Sequence, residues 1–239
     1  MPRRKVARPH EYRRVVYTRE HWELLQRIRG EAIRILGLFT RHGINAFVHG
    51  SVARGDVTPS SDIDVIIPRP VPSYMVEYIL ESGGYTVYQK LIVMATPRNT
   101  PKAYLVLDPS ERVNVSFPLA KLMPREIEFY WFGGALDYKG LIEGRRVPGV
   151  DKRLMLIEPV DEGHIESSVI GKEDYAARII GISVDTVLER IRVLSRRDEV
   201  GRTGVFLKHI VPFDSSFEKE LSRLASRNPW LRRILAERG

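Results

Sequence analysis

Two apolar runs that flank a short polar loop are the feature that most constrains how this chain can fold. Residues 46–48 enter the loop and residues 65–67 leave it, and each run has the length of a buried strand. The second strand begins with Asp62 and Asp64, which are one residue apart and therefore project from the same face. Two carboxylates held this close repel each other, and a hard divalent cation relieves that repulsion. The sequence therefore predicts a metal site at the start of the second strand.

The turn before the loop adds a candidate phosphate-binding element. Gly50 and Ser51 directly follow the first strand, where free backbone N–H groups can hold phosphate oxygens. The whole stretch could therefore hold a metal and a polyphosphate together. The alternative is a purely structural interpretation, in which a glycine-rich turn and a solvated pair of aspartates lie beside a core strand.

The complete pattern resembles that of a known enzyme superfamily. It reads Gly50-Ser51-x-x-Arg54-Gly55, followed after a loop by Ser61-Asp62-Ile63-Asp64. This string is similar to that of the nucleotidyltransferase superfamily of DNA polymerase beta, and within it to the archaeal minimal nucleotidyltransferases and archaeal CCA-adding enzymes. The resemblance covers residues 18–120 and implies an α+β fold, with a mixed β-sheet flanked by helices.

The resemblance also implies an activity and a set of site residues. The activity is transfer of a nucleoside monophosphate from a nucleoside triphosphate to a hydroxyl on a nucleic acid, a protein or a small molecule, with pyrophosphate leaving. Asp62 and Asp64 are expected to hold Mg²⁺ or Mn²⁺. The expected nucleotide-binding residues are Gly50, Ser51, Arg54 and Ser61.

Two residues beside this pattern have alternative interpretations. Arg54 could reach a phosphate, or it could pair with Asp56 two positions further on. His49 comes just before the Gly-Ser turn, and we expect it to be a packed strand residue rather than a catalytic base.

A third carboxylate, which the superfamily commonly places on a later strand, is missing at the matching position. Residues 113–117 have the alternation of that strand, and the position holds Asn114. An asparagine can ligate a metal through its carbonyl oxygen, but it cannot accept the proton of an attacking hydroxyl. Asp108, in the preceding turn, is the nearest alternative carboxylate. The substitution supports a second hypothesis, that of a catalytically weak or inactive nucleotide-binding regulator that also binds nucleic acid.

The remaining chain is predicted to form separate regions. We expect a basic N-terminal tail at 1–17, the nucleotidyltransferase domain at 18–120, a helical connector at 121–152 and a smaller domain at 153–239. In that last domain, a helix over Glu173–Ile180, a turn at Gly181, a second helix capped by Ser183 and a hairpin over 200–207 resemble a winged helix.

The charge pattern suggests a polyanionic partner. The formal net charge is +8, and the tail contributes six basic residues, namely Arg3, Arg4, Lys5, Arg8, Arg13 and Arg14. The second helix of the winged-helix pattern carries both signs on its exposed face, with Arg190, Arg192, Arg196 and Arg197 beside Asp185 and Glu189. The acidic pair counts against deep binding in a DNA major groove. Nucleic-acid contact through the tail and the winged helix is therefore one interpretation, and a solvated tail and a winged helix that only packs are the alternatives.

Composition excludes several other classes of protein. The chain has no cysteine, so it has no disulfide framework and no thiolate nucleophile. It has no apolar run of the ~18 residues that a transmembrane helix needs and no secretory signal pattern at its start. We therefore expect a cytoplasmic protein without membrane contact. The abundance of Arg, Ile and Val with little Gln suggests a thermophilic source, and nothing in the sequence indicates an oligomeric state.

Overall fold

Eleven strands and nine helices occur in the part of the chain that the structure, a computed structural model, describes: residues 6, 11–201 and 204–239. In chain order they are β1 (Tyr12–Val16), α1 (Arg19–Arg41), β2 (Phe47–His49), α2 (Ser51–Arg54), β3 (Ile63–Ile66), α3 (Ser73–Ser82), β4 (Gln89–Met94), β5 (Lys102–Val106), β6 (Val113–Pro118), α4 (Pro124–Gly133), β7 (Ala135–Asp137), α5 (Tyr138–Ile142), β8 (Gly149–Val150), β9 (Met155–Val160), β10 (Gly163–Ser168), α6 (Glu173–Ile180), α7 (Val184–Val200), β11 (Leu207–Ile210), α8 (Phe217–Arg227) and α9 (Pro229–Arg238). The mixture confirms the predicted α+β class.

These elements form two compact units that alternate along the chain. The first unit consists of Met1–Glu31, Val48–Ser61 and Ile127–Thr203, and the second of Ala32–Phe47, Asp62–Glu126 and Gly204–Gly239. The sequence predicts consecutive regions instead, and its division of the chain stays a prediction. Residues 121–152, expected to be a helical connector, contain α4 and α5 but also β7 and β8.

The second unit is organised around a mixed β-sheet. Its strands have the order β11-β4-β5-β6-β3, and β3 and β6 are parallel while the other neighbours are antiparallel. Val65, Val115 and Leu105 are aligned across three of these strands and are fully buried. Because side chains alternate along a strand, the opposite face of these strands carries Asp64 and Asn114. Burial of the apolar face thus fixes which residues the other face presents.

The first unit combines an antiparallel sheet with helices. Its four strands have the order β1-β10-β9-β8, and β2, whose last two residues belong to this unit, neighbours β7. One apolar cluster packs α6 and α7 against β8, β9 and the end of α4, and its buried members are Phe132, Val150, Leu154, Leu156, Val169, Ala176, Ala177 and Val187. This core holds the helical pair that the sequence pattern identified.

Side-chain caps mark the starts of two helices. The hydroxyl of Thr18 accepts a hydrogen bond from His21 N (3.4 Å) at the start of α1. Ser183 caps α7 in the same way, accepting from Thr186 N at 3.3 Å, and Gly181 ends α6 with a left-handed φ of 80°. The predicted cap at Ser183 and the predicted turn at Gly181 are therefore confirmed.

The prediction of a hairpin over residues 200–207 is wrong. In the described part of residues 200–207, α7 runs to Val200, and Leu207 begins β11, which pairs with β4 rather than with a neighbouring strand of its own. The strand therefore belongs to the sheet of the second unit, because the edge of β4 offers it a full ladder of partners. Among the described residues, the α6–α7 pair matches the expected pattern, and the winged helix as a whole stays a prediction.

The basic tail is described only in part. Arg3, Arg4, Lys5 and Arg8 lie outside the described residues. Tyr12–Val16 forms β1, which pairs with β10, and Arg14 Nη2 lies 2.7 Å from Glu162 Oε2. Among the described residues, no helix is long and apolar enough to cross a membrane.

Candidate functional site

The Gly-Ser turn of the first unit has a backbone geometry that glycine alone adopts readily. Gly50 has φ 82° and ψ −143°, which an L side chain rarely adopts. Its N–H donates to Gly134 O (2.9 Å), and its carbonyl accepts from Ala53 N and Arg54 N (3.0 and 3.1 Å). The turn is thereby anchored on both sides, and it directs the chain straight into α2.

Two serines, ten positions apart, meet behind this turn. Ser51 Oγ donates to Ser61 Oγ over 3.1 Å, and Ser61 Oγ accepts from Thr58 N at 2.9 Å. The structure thus brings together Ser51 and Ser61, both predicted to bind nucleotide. Hydroxyl groups and the N–H groups of a first helical turn can hold phosphate oxygens.

Arg54 forms the pair that the sequence offered as an alternative. Its Nε and Nη2 donate to the two carboxylate oxygens of Asp56, each over 2.9 Å, and Nη1 donates to Gly133 O. The two side chains are only 6% and 13% exposed. The pairing with Asp56 is confirmed, and a phosphate-binding role for Arg54 stays a prediction.

His49 is a packed residue, as predicted. Its Nδ1 lies 3.0 Å from Tyr130 O, and its ring lies 5.6 Å from that of Phe129 and 5.5 Å from that of Tyr130. The ring also contacts the Cα region of Gly133, where an added Cβ would lie 2.3 Å from Cε1. These contacts fix the imidazole between aromatic rings and backbone.

In the second unit, the predicted acidic residues lie at one end of β3. Asp62 precedes the strand, its side chain is 48% exposed, and one of its carboxylate oxygens lies 4.0 Å from Arg112 Nε. Asp64 is on the strand and is paired in register with Asn114 of β6. Neighbouring strands are about 4.8 Å apart, so the carboxylate of Asp64 and the amide of Asn114 are side by side on one face. This register supports the prediction that Asn114 occupies the third position.

The carboxylate of Asp108 stabilises a turn. Its carboxylate accepts hydrogen bonds from the backbone N–H groups of Ser110 (3.1 Å), Arg112 (2.7 Å) and Val113 (2.7 Å), and from the Ser110 hydroxyl. Burial alone would raise the pKa of Asp108, but these hydrogen bonds lower it overall. A carboxylate with this role holds the β5–β6 connection, which argues against Asp108 as a substitute for the missing third carboxylate.

Tyr104 is a residue that sequence reasoning missed. It is on β5, in register with Ser116 of β6, and so shares the face of Asp64 and Asn114. Burial, and then the negative charge of Asp64, raise the pKa of Tyr104 to about 12. The alternation of β5 could have placed Tyr104 on the polar face, but its proximity to Asp64 depends on the order of three strands.

The donor set of the acidic residues suits a hard cation only in part. Among the described residues, no group of three or more His, Cys, Asp or Glu side chains could hold a metal ion. Asp62 and Asp64 offer carboxylate oxygens, and Asn114 offers an amide oxygen beside them. Mg²⁺ commonly binds through one or two carboxylates and takes further oxygens from substrate phosphates. The residues therefore fit a magnesium ion that arrives with a triphosphate.

Comparison with known proteins supports the same interpretation over part of the chain. A family model described as "Nucleotidyltransferase domain" matches residues 25–96. The match contains the Gly50 turn and both aspartates of β3, and it ends before Asn114. It confirms the polymerase beta-like resemblance over these residues, less than half of the chain. No curated protein and no solved structure matches the chain significantly.

Proposed function

We propose that this protein is a metal-dependent nucleotidyltransferase that transfers a nucleoside monophosphate from a nucleoside triphosphate to a hydroxyl acceptor. The family match carries the proposal, because it contains both halves of the sequence pattern, Gly50-Ser51 and Asp62-x-Asp64. The positive-φ turn at Gly50 and the shared face of Asp64 and Asn114 give further support.

Each residue of the pattern has a distinct task in this proposal. The turn at Gly50 binds the β- and γ-phosphates, and the hydroxyl of Ser51, which in the structure donates to Ser61, turns to donate to a phosphate oxygen instead. Asp62 and Asp64 hold the divalent ion, which when bound neutralises charge on the phosphates. The acceptor oxygen forms its bond to the α-phosphorus while the bond to the bridging oxygen of pyrophosphate breaks. Positioning and charge neutralisation supply most of the rate in such reactions.

The proton of the acceptor hydroxyl has no side-chain base at the third position. The amide of Asn114 cannot accept it, and the Nδ2 group already donates to Glu111 O over 3.1 Å. The proton must therefore pass to water or to another base. We expect slow transfer compared with an enzyme that has a carboxylate there.

Asn114 also favours a second candidate function. If transfer is absent, the protein would bind a nucleoside triphosphate and act as a regulator that contacts nucleic acid through its basic tail and the α6–α7 pair. The Ser183-capped α7 that follows the Gly181 turn supports this alternative.

One experiment separates the two functions. The protein is incubated with α-labelled nucleoside triphosphates, Mg²⁺ or Mn²⁺, and pooled RNA, DNA, protein and small-molecule acceptors. We expect label on an acceptor, lost in the double variant Asp62→Ala with Asp64→Ala and retained in Glu81→Ala, which changes an exposed carboxylate on α3. Triphosphate binding without transfer, together with salt-sensitive binding of duplexes, would support the regulator instead.

A further inference from the structure

One arginine of α1 binds the backbone of α2 from behind. Arg29 Nε donates to Val52 O (3.0 Å), and Arg29 Nη2 donates to Ala53 O (3.0 Å). The third nitrogen, Nη1, donates to Arg145 O (2.7 Å) in the segment between α5 and β8. All four residues belong to the first unit. Arg29 therefore joins three separate parts of this unit at one point.

The carbonyl groups that Arg29 binds need donors from outside α2. The last four carbonyl groups of a helix have no partner within the helix, and α2 has only four residues. Gly55 N donates to Ser51 O (2.7 Å), and Val147 N donates to Ala53 O (3.3 Å). Arg29 supplies the remaining bonds and so fixes the position of this short helix.

A single residue connects Arg29 with the Gly-Ser turn. Ala53 N donates to Gly50 O (3.0 Å), while Ala53 O accepts from Arg29. Because a helix rises about 1.5 Å per residue, the guanidinium group of Arg29 lies within roughly 10 Å of the turn. The side chain therefore acts on the turn through one hydrogen-bonded peptide and does not itself belong to it.

The positive charge of Arg29 is buried without a negative partner. Arg29 is 6% exposed, and its three bonds all go to carbonyl oxygens. No carboxylate among the residues that the structure describes forms an ion pair with it. Burial, and then the positive charge of Arg146, lower the pKa of Arg29 to about 10, so the guanidinium group stays charged at neutral pH. A buried charge acts over a longer distance than an exposed one, since water and salt screen it less.

The arginine that the sequence pattern offers for phosphate binding is already neutralised. Arg54 pairs with both carboxylate oxygens of Asp56, each over 2.9 Å. Uncompensated positive charge behind the turn therefore comes from Arg29 and from Arg146, which donates to the carbonyl oxygens of Gly163 and Val160. A polyanion bound at the turn would compensate this charge.

We propose that Arg29 is a positioning residue for the phosphate-binding turn, and that its buried charge attracts the triphosphate through α2 without touching it. The inference rests on the proposed function, in which this turn binds the β- and γ-phosphates. At about 10 Å, one pair of unit charges changes a dissociation constant about twofold in water and about fifteenfold at an effective dielectric constant of about 20. The burial of Arg29 favours the upper part of this range.

The test measures binding of the triphosphate, so it does not require turnover. The four common ribonucleoside triphosphates are titrated by calorimetry with Mg²⁺, each as an analogue that cannot be cleaved between its α- and β-phosphates. The analogue that the wild type binds most tightly is then used for the variants. We expect Arg29→Gln, which removes the charge, to weaken it about tenfold.

Two further variants separate the charge from a merely structural role. Arg29→Lys keeps the charge but cannot make three fixed bonds, and it should weaken the analogue no more than about threefold. Arg27→Gln removes an exposed charge of the same helix and should bind as the wild type does. Where transfer is measurable, Arg29→Gln should raise KM for the triphosphate and change kcat by less than about twofold, because the charge acts equally before and during the reaction.

A measurement on the wild type does not depend on whether a variant folds. In protein labelled with ¹⁵N, the Nε–H resonance of Arg29 is identified by its proximity to Val52, and we expect it to shift when the analogue saturates the protein. The inference is overturned if this resonance stays unchanged while the Gly50 amide shifts. It is also overturned if Arg29→Gln binds the analogue as tightly as the wild type, or if Arg29→Lys loses as much affinity as Arg29→Gln. A wild type that binds none of the four analogues would instead overturn the proposed function.

Discussion

Placing a carboxylate at position 114 tests the proposed site without knowledge of the acceptor. In Asn114→Asp a third negative charge would lie one strand away from Asp64. At about 5 Å, two unit charges repel by about 1–3 kcal/mol for an effective dielectric constant between that of water and that of a protein surface. The half-exposed setting of Asp62 favours the lower end of this range. Loss of the hydrogen bond to Glu111 O adds about 0.5–1 kcal/mol.

The variant should therefore be less stable without a metal and more responsive to one. A cost of about 1–2 kcal/mol lowers the melting temperature of a chain of this size by about 2–8 °C. Because Mg²⁺ relieves the repulsion, we expect magnesium to recover most of this loss, and a ligand at 100 times its Kd adds about 2.7 kcal/mol. Thermal melts with and without MgCl₂, followed by circular dichroism, measure both effects. Transfer activity, where present, should rise.

A matched variant makes the result specific. Asn228→Asp exchanges the same side chains at the cap of α9, where aspartate serves as well as asparagine, so its melting temperature should not respond to magnesium. If Asn114→Asp melts at the wild-type temperature in the absence of metal, or if magnesium stabilises it no more than it stabilises Asn228→Asp, then the reasoning about the third position is refuted.

Three further predictions concern the scaffold. Arg54→Met leaves Asp56 buried without its partner and should lower the free energy of unfolding by about 3 kcal/mol, measured by urea titration. Adding Asp56→Asn in a double variant should restore part of this loss. A loss below about 0.5 kcal/mol in Arg54→Met would contradict the buried pair. Ser183→Ala removes the cap of α7 and should cost about 1 kcal/mol, whereas Ser183→Asp should cost little. The hydrogen bond from His164 lowers the pKa of Glu166 to about 2 from an ordinary value of 4.5, so its contribution is complete above about pH 4.5 and is lost as the pH falls toward 2. Glu166→Gln should flatten that part of the acid-unfolding curve, and an unchanged curve would contradict the assignment.

Local sequence signals predict local structure in this protein, but they do not predict which strands pair when the two strands are far apart in the chain. The turn at Gly181 and the cap at Ser183 depend on residues that are close together in the chain, so both are predicted without help from the rest of it. The glycine pair near the end of α7 also suggested a local event, a hairpin. Instead, β11 pairs with β4, which lies more than 110 positions earlier in the chain. No pattern in residues 207–210 indicates that β4 is the partner strand. The same limit explains why β1, which pairs with β10, was expected to be part of a tail.

The residues of the candidate site also divide into those that local sequence predicts and those that depend on the order of distant strands. The spacing of Asp62 and Asp64 predicts a shared face, since it depends only on the two-residue period of a strand. The packing of His49 and the pairing of Arg54 with Asp56 were available from sequence as alternatives, and the structure confirms both. Tyr104 could not be found in this way, because its neighbourhood with Asp64 requires β5, β6 and β3 to be adjacent in that order.

The replacement at position 114 changes the balance of charge on the whole face, beyond its effect on proton transfer. With an aspartate there, the face would present three carboxylates and would repel an anionic acceptor until metal ions neutralised them. With Asn114, two carboxylates remain at the β3 end. The face therefore carries less negative charge at the β3 end than it would with a third carboxylate. In the proposed reaction, fewer charges would then oppose the approach of an anionic acceptor, while Asp62 and Asp64 would still attract a divalent cation.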